Sequence, residues 1–533
     1  MNYQRQTILV FICLIAFSFL VQGCGNQQPN NTASTGADNL IFTVADPTGD
    51  YGFPSPFTHY ARGPGYVRMS LIFDTLVWKD DQGYIPALAA TWDYNQDEIS
   101  YIFHLQKNAT WHDGQKFTAK DVVFTYEYLK IHPYQTTDTS MIKQIEALNE
   151  YEVKFYLHGP YAPFLDVIAG TVPILPEHIW KNVNDPVHFQ QKEALIGAGP
   201  FKAIDYSKEH GSYLYEAYDG YYQGKPKFRR IKMVKMNMEM AAAALKQGQV
   251  DMAQVPAELV KPLAQTGLKI LTMPHDWVAK LVINHRQEPF NNKEFRQALA
   301  DAIDRSSLIE TTLRGQGLAA SPGLVPSDND WFNPSLKDLY SYDPAKAQNI
   351  LSSLGYAKNG PYLEKNGVPL EVELLVGNGG IIGYPGERQG EFVKSQLEKI
   401  GIKVSLRTLE SKTLDSRLND WKFELALNGH GGLGADPDYL TKNIIGKGFN
   451  SARFQANETL AALLSKQVAV MDIIARRQLI DQVQAAYASE VPALPLYYPT
   501  WYYAYNPKTT LFFTKQGIGS GVPMPLNKLS FIK

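Results

Sequence analysis

Strand-like and helix-like patterns alternate along almost the whole of this chain, and that alternation constrains its fold more than any other feature. Residues 40–44 read as a short strand. Thr118 opens a helix with Asp121 three residues on, an N-terminal capping arrangement, and Val122, Val123, Tyr126 and Leu129 form its buried stripe. Residues 151–157 alternate as a strand does and end at Gly159-Pro160. The spacing of Phe295, Leu299, Ala302, Ile303, Ile309 and Leu313 predicts one helix over 292–314, ended by Gly315. Asp343-Pro344 starts another helix that stops at Gly355. A strand over 370–376, a helix over 387–400 halted by Gly401 and a strand over 402–409 fit a right-handed βαβ unit. A long helical stretch over 460–487, broken near Asp472, leads to an aromatic strand region over 493–505 with prolines at 495 and 499. The succession implies an α/β architecture. Gly197-Ala198-Gly199-Pro200 is a candidate point for the chain to pass between lobes.

The N-terminal segment is of another kind. Arg5, an apolar run over 7–21 and then Val21-Gln22-Gly23-Cys24 follow the order of a bacterial lipoprotein signal, with cleavage ahead of Cys24 and acylation of its thiol. About 15 apolar residues fall short of the ~20 that span a bilayer. Acyl chains, at roughly 0.8 kcal/mol per buried CH₂, anchor stably when more than one is present. Residues 25–39 are small and polar, with nothing large and apolar to offset the entropy of ordering them. The expected boundaries are 1–23 for the signal peptide and 24–39 for a lipid-anchored tether, with the protein working outside the cytoplasm.

A mature chain of about 500 residues can bury a large core and suggests roughly three domain-sized units. Its only cysteines, Cys13 and Cys24, precede the folded body, which excludes disulfides, cysteine metal sites and cysteine nucleophiles there. A net charge of −2, from 51 basic and 53 acidic residues with no basic block, gives no footprint for nucleic acid. Tyrosine is in excess, 31 against 25 phenylalanines. Its apolar face and hydroxyl rim suit a cleft that is sometimes wet.

Residues 71–122 carry a specific resemblance. They contain Leu71-Ile72-Phe73-Asp74-Thr75-Leu76-Val77-Trp78, Pro86-Ala87-Leu88-Ala89, Trp92, Tyr101-Ile102-Phe103-His104-Leu105 and Trp111-His112-Asp113-Gly114, continuing through Phe117-Thr118-Ala119-Lys120-Asp121-Val122. This block resembles the family 5 extracellular solute-binding proteins of ABC importers, the group of oligopeptide, dipeptide and nickel-binding receptors. The likeness continues in the family's order through Gly197-Ala198-Gly199-Pro200-Phe201, Gly220-Tyr221-Tyr222, Gly248-Gln249-Val250-Asp251 and Arg296-Gln297-Ala298-Leu299. The resemblance implies an α/β, two-lobed periplasmic-binding-protein fold of the large class II type, with a hinge and an extra subdomain on the first lobe. It implies lobe I at 40–75, 195–285 and 506–533, the subdomain at 76–194 and lobe II at 286–505. A receptor of this kind needs no catalyst and no cofactor. It needs a cleft whose halves contact the solute differently, since a ligand shifts an open–closed equilibrium only by its differential affinity for the two states. The implied partners are a short peptide, an ABC permease and the membrane through the lipid anchor, for a monomeric receptor. A nickel chelate, an oligosaccharide or another polar metabolite is the alternative cargo.

Three segments are candidates for touching the solute. The loop over 46–66 holds Tyr51, Phe53 and Arg62 among glycines and prolines at the carboxyl end of the first strand, where open α/β sheets bind ligands. Trp277 precedes a strand over 279–284, and Tyr498, Trp501 and Tyr502 cluster later. Packing competes with binding for all of these aromatics. The third segment, 428–439, contains His430 and Asp436-Pro437. In peptide-binding members an aspartate ahead of the proline pairs with the peptide's amino terminus. Aligning Asp436-Pro437 puts Leu433 where that aspartate would stand, and an uncompensated ammonium in a closed cleft costs several kcal/mol. Asp436 substitutes if the loop is realigned. Nickel-branch members carry histidine after the proline, where Asp438 stands here; His430 remains as a contact for a metal chelate or as a loop hydrogen-bonder.

Enzyme patterns are weaker. His430-Gly431-Gly432 resembles a lipase oxyanion loop, but no Gly-x-Ser-x-Gly supplies a nucleophile. Ser140-Met141-Ile142-Lys143, Ser327-Asp328-Asn329 and Lys508-Thr509-Thr510 follow the order of serine-reactive penicillin-binding enzymes, with the third element lacking its glycine. No metalloprotease motif, phosphate loop or paired metal-ligand spacing is present. The expectation is a binding protein with neither catalytic nor metal-ligating residues, against the alternatives of an acyl-transfer enzyme or a structural surface lipoprotein.

Overall fold

The computed structural model describes residues 41–60, 63–135, 137–378, 384–434, 436–447, 451–507, 511–514 and 526–532. Cys24, Arg62 and the segment 508–510 lie outside the described residues. Among the described residues no helix is long and apolar enough to cross a membrane.

The first lobe is built on a seven-stranded sheet centred on Ile41–Asp46. That strand runs parallel to Arg230–Lys235, with Ile41 opposite Arg230 and Asp46 opposite Lys235, and parallel to Met252–Val255 on its other side. A four-stranded antiparallel sheet, from Ala89–Asn95 to Ile142–Asn149, carries the helix Ala119–Ile131. Thr118 N donates to Asp121 Oδ2 at 2.9 Å, so the expected cap forms. Val122, Tyr126 and Leu129 are buried beneath the helix and Val123 half-buried. Phe42 of the large sheet and Phe103 and Phe155 of the small one belong to one apolar core. The small sheet is therefore an outgrowth of the first lobe.

The second lobe has a six-stranded sheet and a core of its own. Its central strand, Val278–Ile283, is buried along its whole length, and apolar residues fill every position but Lys280. A strand covered on both faces reads as such a continuous run. It pairs antiparallel with Leu425–His430 and Ala493–Pro499. The βαβ unit is present: Glu371–Gly377 and Lys403–Leu409 are parallel neighbours joined through the helix Glu387–Lys399.

Three expectations shift. Residues 292–314 form two helices, Lys293–Ala302 and Arg305–Leu313, because the Asp304 side chain accepts from Ser307 N at 2.9 Å and caps a new start. The same device at Asp472 separates Glu458–Ala469 from Ile473–Glu490, where a break was expected. Gly197 to Pro200 does not carry the chain between lobes. It leads from the small sheet into Phe201–Ser207 of the large one, pressed so closely on Ile72 that a Cβ on Gly197 would lie 2.1 Å from its carbonyl oxygen. By sheet membership the crossing falls at 273–277, ahead of the expected 286. The return falls at 500–501, ahead of 506, since Tyr502–Tyr505 belongs to the seven-stranded sheet.

Candidate functional site

The central strand of the first lobe ends at Asp46, whose carboxylate organises the loop after it. Asp46 Oδ1 accepts from Thr48 N at 2.8 Å and Gly49 N at 3.1 Å, and Oδ2 pairs with Arg68 Nη2 at 3.2 Å. Gly49 and Gly52 have φ of 84° and 86°, a region side chains disfavour, which lets the loop fold back on the sheet. The Arg68 guanidinium lies 4.4 Å from the Tyr51 ring centre and 5.0 Å from that of Tyr213. Burial, then the Asp46 charge, push the Tyr51 phenol up to about 12. Phe53 packs edge-on against Tyr206 at 5.8 Å, half-buried against the first lobe's core.

The two crossing segments lie side by side between the lobes. Met273 N donates to Trp501 O at 2.9 Å, and His275 bonds Asp328 Oδ2 through Nδ1 and Thr500 Oγ1 through Nε2, each at 2.9 Å. Trp277 follows at once, its ring centre 4.3 Å from Tyr384 and 6.3 Å from Trp501. Tyr384 and Trp501 are near-parallel at 6.4 Å. The structure thus gathers Trp277 and Trp501 into one aromatic group and adds Tyr384. Tyr502 stands apart, its hydroxyl donating to Gln316 Oε1 at 2.7 Å and so tying the two lobes. Tyr498 is buried in the second lobe and accepts from Ser321 N.

Asp276, between His275 and Trp277, is 5% exposed. Its main-chain oxygen accepts from Leu433 N at 3.1 Å. Burial pushes its carboxyl up to about 7, with its own amide the one group opposing that. Across Tyr503 lies the Asp46–Arg68 pair: burial first, then Asp46 and more weakly Asp276, push the Tyr503 phenol up. Acidic groups from the first lobe and the crossing therefore face the same tyrosine.

The loop over 428–439 divides its residues differently from the expectation. His430 ends its strand opposite Val278, buried, with Nδ1 on Gly431 O at 2.9 Å and Nε2 without a partner. Burial and then Lys280 press its pKa well below 6.5, and burial brings Lys280 itself down to about 7. Leu433 is fully buried in an apolar cluster, so no carboxylate stands there. Asp436 is 6% exposed and takes Arg476 Nη2 and Nη1 on its two oxygens at 2.6 Å each. That bidentate pair commits Asp436 to holding the loop on the helix Ile473–Glu490. Asp438 beside it accepts from Gln467 at 3.0 Å and meets Tyr161 of the first lobe's outgrowth at 3.5 Å, next to a bond from Ala162 N to Val468 O at 2.7 Å.

Among the described residues no group of three or more His, Cys, Asp or Glu is arranged to hold a metal ion. The Ser-x-x-Lys pattern is dispersed: Ser140 is exposed ahead of a strand of the four-stranded sheet, whereas Asp328 lies against the crossing, bonded to His275. Sequence reasoning missed Asp276, Tyr384 and Arg68. A lone carboxylate directly ahead of a buried apolar strand, and a tyrosine closing a glycine-rich stretch, were the available signals.

Residues 83–452 match the model of the bacterial extracellular solute-binding proteins, family 5 Middle. The oligopeptide-binding protein AppA of Bacillus subtilis (strain 168) is 26% identical, covering 96% of this chain and 98% of its own. Heme-binding protein A of Haemophilus influenzae is also 26% identical, over 93% and 95%. Among solved structures, NikZ from Campylobacter jejuni in complex with Ni(L-His) superposes with a TM-score of 0.75 at 25% identity, over 94% of this chain and all of the other. The chain belongs to the family 5 bacterial extracellular solute-binding proteins.

Proposed function

We propose that this protein is the lipid-anchored receptor of an ABC importer, held to the membrane through Cys24, that closes its lobes on a short peptide and delivers it unaltered to the permease. One observation carries the reading: two sheets joined by paired crossing segments, with an aromatic group at Trp277, Tyr384 and Trp501 where the lobes meet. Aromatic faces accept varied side chains, as a peptide receptor requires. The oligopeptide-binding relative supports a peptide over the chelate that the Campylobacter neighbour holds. Among the named candidates, Tyr51, Trp277 and Trp501 would line the cleft. Phe53, Tyr502 and Asp436 would shape it, and His430 would stand at its edge.

The test is thermal-shift screening of the body from Leu40 onward against peptides, metal chelates, heme and sugars. A peptide at about 100 times its Kd adds about 2.7 kcal/mol of stability, and scattering should show compaction with it. Stabilisation only by a non-peptide overturns the cargo. Release of peptide fragments overturns the receptor reading. Replacement of Cys24 by alanine should abolish acylation, read by mass spectrometry, and release the protein from membranes.

A further inference from the structure

We propose that Asp276 is the charge anchor of the cleft, taking a positively charged amino group of the solute against the indole of Trp277. The inference rests on the receptor reading above and deepens it to a solute class: organic ammonium compounds, a peptide with a free amino terminus among them.

Gly431 locates the contact. A Cβ built on Gly431 would lie 3.4 Å from Trp277 Cδ1 and 3.8 Å from Asp276 Oδ2, at ordinary contact distance. The glycine therefore keeps open a space about the size of a methyl group, with an indole edge on one side and a carboxylate on the other. Tyr384 and Trp501 extend the aromatic wall beyond Trp277. A carboxylate joined to aromatic faces suits a cation, which gains from both the charge and the ring electrons.

The carboxylate also lacks another purpose. Among the described residues Asp276 forms no ion pair, and the only group that favours its charged form is its own amide. The other buried carboxylates near the crossing are committed, Asp46 to Arg68 and Asp436 to Arg476. An uncompensated buried carboxylate is costly to the fold, and a cationic solute compensates it. Leu433, main-chain bonded to Asp276, cannot do this work.

The experiment titrates the soluble body by calorimetry with cationic solutes (trialanine, arginine, putrescine) and with counterparts that carry no cationic group, N-acetyl-trialanine, N-acetylcitrulline and 1,4-butanediol. Binding should be confined to the cationic set. Asp276→Asn should weaken it by about 10- to 100-fold, the measure of a hydrogen bond to a charged partner. Gly431→Ala, whose methyl meets no clash, should weaken it while leaving the melting temperature of the empty protein unchanged. A solute that binds equally well without its cationic group, or an Asp276→Asn protein within about threefold of the parent, overturns the anchor and leaves the receptor standing. Failure of every cationic solute overturns the anchor, and the receptor reading then stands or falls on the thermal-shift screen.

Discussion

Replacing Asp276 with asparagine should stabilise the empty protein at alkaline pH, although it removes a hydrogen-bonding charge. The carboxyl is pushed from 3.8 to about 7 by burial. In the unfolded chain it ionises near its ordinary value, so between roughly pH 4 and 7 the folded state holds a proton that the unfolded state has lost. The stability contributed by the protonated form is complete below the unfolded pKa and is lost as pH rises through the folded one. At about 1.4 kcal/mol per pH unit, that loss approaches about 4 kcal/mol, and about 2 kcal/mol is a fair expectation once the site relaxes. Asparagine is nearly isosteric and never ionises. Other titrating groups nearby, Lys280 along the strand and the Asp46–Arg68 pair across Tyr503, are common to both proteins and cancel in the difference. Urea unfolding near pH 8 should therefore show the variant more stable by about 2–4 kcal/mol, with the gap falling to about 1 kcal/mol near pH 4.5 and closing below about pH 4. A variant less stable at alkaline pH, or a gap that does not move with pH, would show the carboxylate compensated in the empty fold and refute the reasoning.

Asp436→Ala leaves the Arg476 guanidinium, 4% exposed, without its carboxylate, and should cost about 3–5 kcal/mol in urea unfolding. The double variant with Arg476→Met should recover most of that, and a single-variant loss under about 1 kcal/mol would contradict the pairing. Asp74 is fully buried and accepts from Tyr221 at 3.0 Å, Tyr222 at 2.7 Å and Lys528. Asp74→Ala should free the segment 526–532 for limited proteolysis while the second lobe stays protected; unchanged digestion would count against the clamp. Gly429→Ala would set a methyl 2.0 Å from Trp277 Cη2 and 2.4 Å from Val278 O. It should displace the indole, shift its fluorescence and abolish solute binding, and an unaltered emission spectrum would exclude the crowding.

What could be read in the sequence was local. The Thr118–Asp121 cap, the βαβ unit closed by Gly401 and the break at Asp472 depend on residues within a few positions of one another, and all three formed. The helix break at Asp304 used the same signal as Asp472, but it was outvoted by an apolar periodicity that continued across it. Pairings between distant segments were invisible. Asp436 meets Arg476 across 40 residues, which turned a candidate solute contact into an internal strut. In the sequence Asp276 is one acid among many, and only the packing of Leu433, Gly431 and Tyr503 around it makes it a buried acid. The 493–505 region read as a single aromatic strand because each half is apolar, although its halves belong to different sheets.

The bond from Met273 to Trp501 makes the two connections a single axle. Groups mounted on an axle travel least when the jaws swing, so Asp276 and Trp277 keep nearly the same mutual placement in the open and shut molecule. An arriving guest would find this seat ready before anything moves, and the more distant walls, Tyr51 among them, would select by how well they fold over what is already seated.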